Sequence, residues 1–207
     1  MRYTDGMREL APGILAWSRL SEPHGYDFNG TLLLDRAGNL CVDPVEPSDD
    51  EMKRLEAEGV ARSLLTNRNH ARAANQVRER TGASVEIHAS DADYARKQGV
   101  GIDDTLEVTQ RVGPFTVVGV PGKSPGEIAL HDPARRLLIV GDALIGHPAG
   151  RLSLLPDRVV DDPARLRSSV RSLLALDFDT ILVGDGDSIQ TGAHQALQAL
   201  VDSLPPA

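Results

Sequence analysis

Twice along this chain, short apolar stretches bounded by turn residues come first and helical patterns come last. That order leaves few architectures open, because strands and then helices within each half require sheets that helices cover. In the first half, residues 30–35 (GTLLLD) and 40–42 (LCV) flank the turn Arg36-Ala37-Gly38-Asn39, which predicts a hairpin. Ser48 with Glu51 three positions on is a capping box for a helix to about residue 58, and Gly59 stops it. Residues 63–65 (SLL) read as a buried strand, 69–80 as a helix and 84–88 (SVEIH) as a strand, and Ser90 with Asp93 starts a further short helix.

The second half repeats the order. Residues 106–109, 115–120, 127–131 and 136–140 are four short strands separated by Gly/Pro or Asp-Pro turns, which predicts a meander. Asp162-Pro163 is an N-cap followed by a first-turn proline, and Leu166, Val170, Leu173 and Leu174 then fall on one helical face. A strand over 180–183 follows. A last helix from about Thr191 sets Leu197, Leu200, Val201 and Leu204 on one stripe and ends at Pro205-Pro206. Residues 143–161 form the longest irregular segment, of a kind that often carries function. With no repeat and no low-complexity stretch, 207 residues suit one compact domain over 1–207.

Composition narrows the partners. The formal net charge is −8, from 22 Lys+Arg against 30 Asp+Glu, which works against nucleic acid and anionic membranes as partners. A local basic cleft can still take a small anion, since net charge does not set the potential inside one site. Cys41 stands alone, so neither an intramolecular disulfide nor a four-cysteine zinc site can form, and a reducing cytoplasm is the expected setting. Residues 1–9 are polar and lack the apolar run of a signal peptide, and no stretch of about 18 apolar residues exists. Aromatic residues make up only 3%, which leaves packing to aliphatic side chains. A homo-oligomer is left open.

Five local sequences, in order, carry a resemblance. Val42-Asp43-Pro44 ends the first strand pair, and residues 63–72 (SLLTNRNHAR) follow the next strand. Then come Pro121-Gly122-Lys123-Ser124-Pro125-Gly126, Val140-Gly141-Asp142-Ala143-Leu144 and Val183-Gly184-Asp185-Gly186. Together they resemble the metallo-β-lactamase superfamily, with its early aspartate, H-x-H-x-D-H motif, P-G-H-T-x-G turn, G-D-x-L/F segment and G-H-G. The resemblance spans nearly the whole chain. It implies the α+β class and a four-layer αββα sandwich of two β-rich halves, with the active site at one sheet edge.

Residue by residue, the family's first ligand positions fall on Asn67, Asn69, Ala71 and Arg72, the turn histidine on Lys123 and the last histidine on Asp185. Only Asp142, at the metal-bridging position, is retained. Ala71, Arg72 and Lys123 are not zinc ligands, so the resemblance implies a degenerate site with no resident cofactor. Arg72 and Lys123 are expected to face Asp142 and Asp185 as an ion-pair cluster in place of two metals. The expected function is that of a non-catalytic protein binding a small anion through Asn67, Asn69, Arg72, Lys123, Asp142 and Asp185. A first alternative is a hydrolase of the thioester, lactone or phosphoester type with one zinc, manganese or iron ion on Asp142, Asp185 and His70 or Asn69. A second is a structural or interaction domain. Bland readings apply elsewhere: Asn67 or Asn69 as a helix N-cap, Asp185 as a turn residue, Lys123 in water, Ser124 in a turn and Cys41 as a small core residue. His70 falls on an unassigned position of the motif, and His24, His88, His131, His147 and His194 form no metal-like spacing.

Overall fold

A computed structural model describes residues 6–205. Residues 1–5 of the polar N-terminal stretch and Pro206 of the terminal Pro-Pro pair lie outside the described residues. The first sheet orders its seven strands β1 to β7 in sequence: Arg8–Ala11, Ile14–Ser21, Tyr26–Leu33, Leu40–Val42, Arg62–Leu65, Ser84–His88 and Asp104–Leu106. Its first four strands pair antiparallel, and β4 to β7 run parallel, with α1 (Asp49–Glu58), α2 (Ala74–Thr81) and α3 (Ala89–Lys97) in the connections. The second sheet has five strands, ordered in space as the reverse of their order in the chain. There β8 (Arg111–Val112), β9 (Phe115–Gly119), β10 (Ile128–Asp132) and β11 (Leu137–Val140) are antiparallel, and β12 (Thr180–Val183) joins β11 in parallel after α4 (Pro163–Ser172). The helix α5 (Ala193–Ser203) closes the chain.

Alternation within single strands fixes the layers, since successive side chains point to opposite faces of a sheet. From β4, Leu40 and Val42 enter the core between the two sheets, whereas Cys41 faces the core under α1. From β11, Leu137 and Ile139 point between the sheets, while Leu138 and Val140 pack toward α4 and α5 with Leu166, Val170 and Leu197. The result is the four-layer αββα sandwich. Each fully buried Leu, Ile or Val contributes about 1.5–3 kcal/mol through the area it removes from water.

The structure departs from the sequence reading at several elements. The hairpin strand expected at 30–35 is the end of a longer one, Tyr26–Leu33, and two strands, β1 and β2, precede it. Strand β2 hides from pattern reading because Ile14, Leu15, Ala16 and Trp17 are all buried, so alternation disappears where both faces are covered. The expected four-strand meander is split: β7 completes the first sheet, and the meander proper is β8 to β11. The helix expected over 69–80 starts at Ala74, with Ala73 at its N-cap and no side-chain cap, so neither Asn67 nor Asn69 caps it. At α3 the cap is the His88 ring, whose Nδ1 accepts from the Ser90 amide, so the cap lies two residues before the expected Ser90 and the helix begins at Ala89.

Candidate functional site

The C-terminal ends of two parallel strand pairs, β4 with β5 and β11 with β12, meet at one edge of the sandwich. Just beyond these ends sit Asp43, Thr66, Asp142 and Asp185. Asp43 takes a left-handed backbone conformation, φ 48°, which turns its carboxylate back over β5. There Oδ1 accepts from the Thr66 amide at 2.8 Å and Oδ2 from the Thr66 hydroxyl at 2.6 Å. The glycines before the other two aspartates are required by close approach. A Cβ at Gly141 would lie 2.1 Å from Thr66 Oγ1, and one at Gly184 would lie 2.4 Å from His70 Cε1.

His70 is the hub. It is fully buried and its ring lies between carboxylates, with Nδ1 2.8 Å from Asp43 Oδ2 and Nε2 3.2 Å from Asp142 Oδ1 and 3.8 Å from Asp185 Oδ1. Arg72 donates through Nη2 to Asp185 Oδ1 at 2.6 Å, and its guanidinium lies 4.0 Å over the Phe28 ring. Lys123 donates to Asn69 Oδ1 at 2.8 Å, with its Nζ 3.3 Å from Asp142 Oδ2. Asn67 reaches away from the carboxylates: its Nδ2 donates to Glu127 Oε1, and its Oδ1 accepts from the Asn69 amide. Glu127 also accepts from the Ala143 amide through Oε1, while its Oε2 has no hydrogen-bond partner among the described residues.

The electrostatics follow from this crowding. Burial and the Arg72 charge both oppose protonation of His70, but Asp142 and Asp43 outweigh them and raise it to about 10, so the ring is an imidazolium at neutral pH. Burial pushes the Asp142 carboxyl up, yet His70, Lys123 and Arg72 prevail and hold it well below the usual carboxylate range. At Asp185 burial, reinforced by Asp142, wins over His70 and Arg72 and the carboxyl moves up. Burial and Asp142 also push the Glu127 carboxyl well up, against the opposing pull of His70, Lys123 and Asn67. Three cationic side chains thus meet three aspartates in a cleft that is close to neutral, within a chain of net charge −8.

Supports hold the loops that carry these groups. Asp91, fully buried on α3, accepts from the Arg68 amide, from the Gly126 amide and from the Ser124 hydroxyl, fixing the 66–70 loop against the 121–126 turn. Arg68 forms a double hydrogen bond with Asp161 at 2.7 and 2.8 Å and lies 4.5 Å over Tyr94, which ties down the end of the 143–161 segment. On the far side the 184–187 turn is clamped: Asn29 N donates to Gly184 O, Gly186 N to Asp27 O and Gly146 N to Asp185 O. Burial, with Asp185 and Asp142, pushes the nearby Tyr26 hydroxyl up. A cavity of about 590 Å³ lined by Trp17, Arg19, Asn29, Glu51 and Ser188 includes none of the charged residues of the cluster.

The sequence pattern of the metallo-beta-lactamase superfamily matches residues 7–204. The chain belongs to the metallo-β-lactamase superfamily. Among solved structures of that fold, this member superposes on a metallo-beta-lactamase from Pontibacter korlensis with TM-score 0.76 at 12% identity, covering 96% of this chain and 99% of the other. It superposes on one from Erythrobacter litoralis with TM-score 0.75 at 17% identity, covering 99% of each chain. A di-iron-bound protein, TTHA1623, gives TM-score 0.67 at 24% identity over 87% of this chain and 96% of that one. A hydroxyacylglutathione hydrolase from Ectopseudomonas mendocina (strain ymp) is 32% identical over 120 residues, 55% of this chain and 46% of that protein. The chain thus spans about half the length of that curated relative.

Against the superfamily's two-metal site, the donor set does not fit. The position expected to supply an aspartate is Ala71, packed in the core between α2 and α3, and Arg72 and Lys123 place charged nitrogens against the carboxylates two metals would need. What remains is a group of one nitrogen and two carboxylates: His70, Asp142 and Asp185 offer ligand atoms within 4.8 Å of one another. Of the six residues singled out from sequence, Lys123 contacts Asn69 and Asp142, Arg72 contacts Asp185, His70 links the two sets through Asp142 and Asp185, and Asn67 joins through the Asn69 amide. Lys123 is 8% exposed and does not point into water. His70, assigned no position in the motif, turns out central, and Glu127 and Phe28 were not singled out for the site. For Glu127 a signal existed, an acidic residue opening the otherwise apolar run Ile128-Ala129-Leu130.

Proposed function

We propose that this protein is a non-catalytic, metal-independent member of the superfamily that binds a small anionic molecule beside Arg72 and Lys123. The observation that carries the reading is the pairing of two cations with the two aspartates a metal would share: Arg72 with Asp185 at 2.6 Å and Lys123 with Asp142 at 3.3 Å. A carboxylate that already faces a fixed ammonium or guanidinium is a poor metal ligand, because the ion must displace that charge or bind against it. Both cations also keep donors in reserve. Among the described residues only the Nη2 end of Arg72 is engaged in hydrogen bonds, and its side chain is 18% exposed. A balanced cleft with spare N–H donors suits a carboxylate or phosphate, which Arg grips through two parallel bonds. The lone buried Cys41 fits the same protein working in a reducing cytoplasm.

Two measurements test this. Metal content by plasma mass spectrometry, after incubation with zinc, manganese and iron and desalting, is expected to stay well below one ion per chain in both the wild type and Asp142→Ala. Thermal melting with inorganic phosphate is expected to rise with concentration, reaching about 2.7 kcal/mol of stabilisation at a hundredfold excess over Kd, and to lose that response in Arg72→Gln. One ion per chain, lost in Asp142→Ala, overturns the reading in favour of a second one. That reading is a hydrolase of the thioester, lactone or phosphoester type with one zinc, manganese or iron ion, favoured by the His70, Asp142 and Asp185 donors and by the likeness to a hydroxyacylglutathione hydrolase. In it Asp43 orients the His70 ring from Nδ1, and the ion would supply Lewis-acid chemistry. Neither metal nor any anion response leaves a structural or interaction domain.

A further inference from the structure

Aromatic rings gather beside the charged cluster. Tyr26 and Phe28 on β3 lie 6.2 Å apart between ring centres, and His24, in the turn before them, is 5.5 Å from each. His147, from the segment after β11, closes on Tyr26 at 5.3 Å. The chain holds only three Phe, three Tyr and one Trp, and two of them, Tyr26 and Phe28, stand here, with Phe28 also packed against the edge of the core under α1. His24 and His147 are exposed, and Tyr26 and Phe28 are only partly buried. Rings that pack for stability alone are usually drawn fully inside, as Phe115 and Phe178 are.

The wall is continuous with the anion residues. Phe28 carries the Arg72 guanidinium on its face and forms a backbone bridge with Asp185, and Gly146, next to His147, donates to the Asp185 carbonyl. A ligand whose charge is held by Arg72 therefore has ring faces within reach on one side. A purely inorganic anion would leave those faces wet. Resting on the anion reading given above, we propose that the bound anion carries a planar aromatic group, as an aryl phosphate or aryl carboxylate does, and that this group stacks on Tyr26 and His147.

Calorimetric titration of the full chain with inorganic phosphate, phenyl phosphate and cyclohexyl phosphate tests the idea, since the last two match in charge and size and differ in having a planar π face. Phenyl phosphate is expected to bind about tenfold more tightly than cyclohexyl phosphate, the scale of one base-aromatic stack. Tyr26→Ala is expected to bring that ratio close to one and Tyr26→Phe to keep it. His147→Ala, at an exposed position, reads the same ratio if Tyr26→Ala does not fold. Equal binding of the two organic phosphates, or a ratio untouched by both alanine variants, overturns the aromatic proposal while phosphate binding leaves the anion reading standing. No binding of any of the three sinks both.

Discussion

His70 shows how much one side chain can carry once its neighbours are counted. Among the described residues its imidazolium is the only cation paired with Asp43, and it shares Asp142 with Lys123. Removing one member of a buried charge group leaves the others unpaired, which typically costs about 3–5 kcal/mol. His70→Ala and Lys123→Ala are expected to lose stability on that scale in urea unfolding, through a lower midpoint at unchanged slope. Arg72→Ala should lose less, roughly 2 kcal/mol, because its side chain is 18% exposed and water screens part of the pair. Gly184→Ala makes a separate test of the packing: its Cβ would sit 2.4 Å from His70 Cε1, so a loss of about 1–3 kcal/mol is expected, with the ring displaced. The charges of this site were legible in the sequence because the Gly-Asp and Gly-Lys pairs follow strands and mark tight turns. His70 was named only as an alternative donor beside Asp142 and Asp185, and its central place was not legible, since its inward aim depends on the path of the 66–73 loop and not on its place in a motif.

Between residues and molecule, α1 is the element whose sequence signal and structure agree most fully. Its Ser48 and Glu51 form both bonds of the capping box, and Glu51 also pairs with Arg19 of β2, so one carboxylate fastens a helix start to a strand. Burial works against the Glu51 charge, but Arg19 and the Ser48 amide overcome it and lower its pKa. A depressed carboxyl stabilises the fold above its unfolded value, about 4.3, and that contribution disappears as the pH falls through the folded value. The acid limb of the wild-type stability curve should therefore be steeper below about pH 4.3 than that of Glu51→Gln, which is expected to be less stable at pH 7 and to converge with the wild type in acid. Where elements departed from expectation, competition between local and tertiary demands explains it. Residues 69–73 have helical propensity, yet continuing α2 back to Asn69 would withdraw the Asn69 and His70 side chains from Lys123 and Asp142.

For the whole chain, the inter-sheet core draws on both halves, with Leu33 and Leu64 from the first sheet meeting Leu130 and Ile139 from the second. Shared burial of this kind predicts one cooperative unfolding transition, with calorimetric and van't Hoff enthalpies equal, and two transitions would argue for separable halves. Leu130→Ala, at a fully buried position, is expected to lower stability by about 2–5 kcal/mol without splitting the transition. The halves were legible as strands before helices, whereas the assignment of β7 to the first sheet was not, because a three-residue strand holds no record of which sheet completes it. Asp91 gives the architecture one more property. Its carboxylate fixes the 66–70 loop and the 121–126 turn through the Arg68 and Gly126 amides and the Ser124 hydroxyl, none of which belongs to the charged cluster. Support and cargo are therefore carried by different groups at these two loops: the side chains of Arg72 and Lys123 make none of the Asp91 bonds, so a change of charge at either position leaves that brace intact.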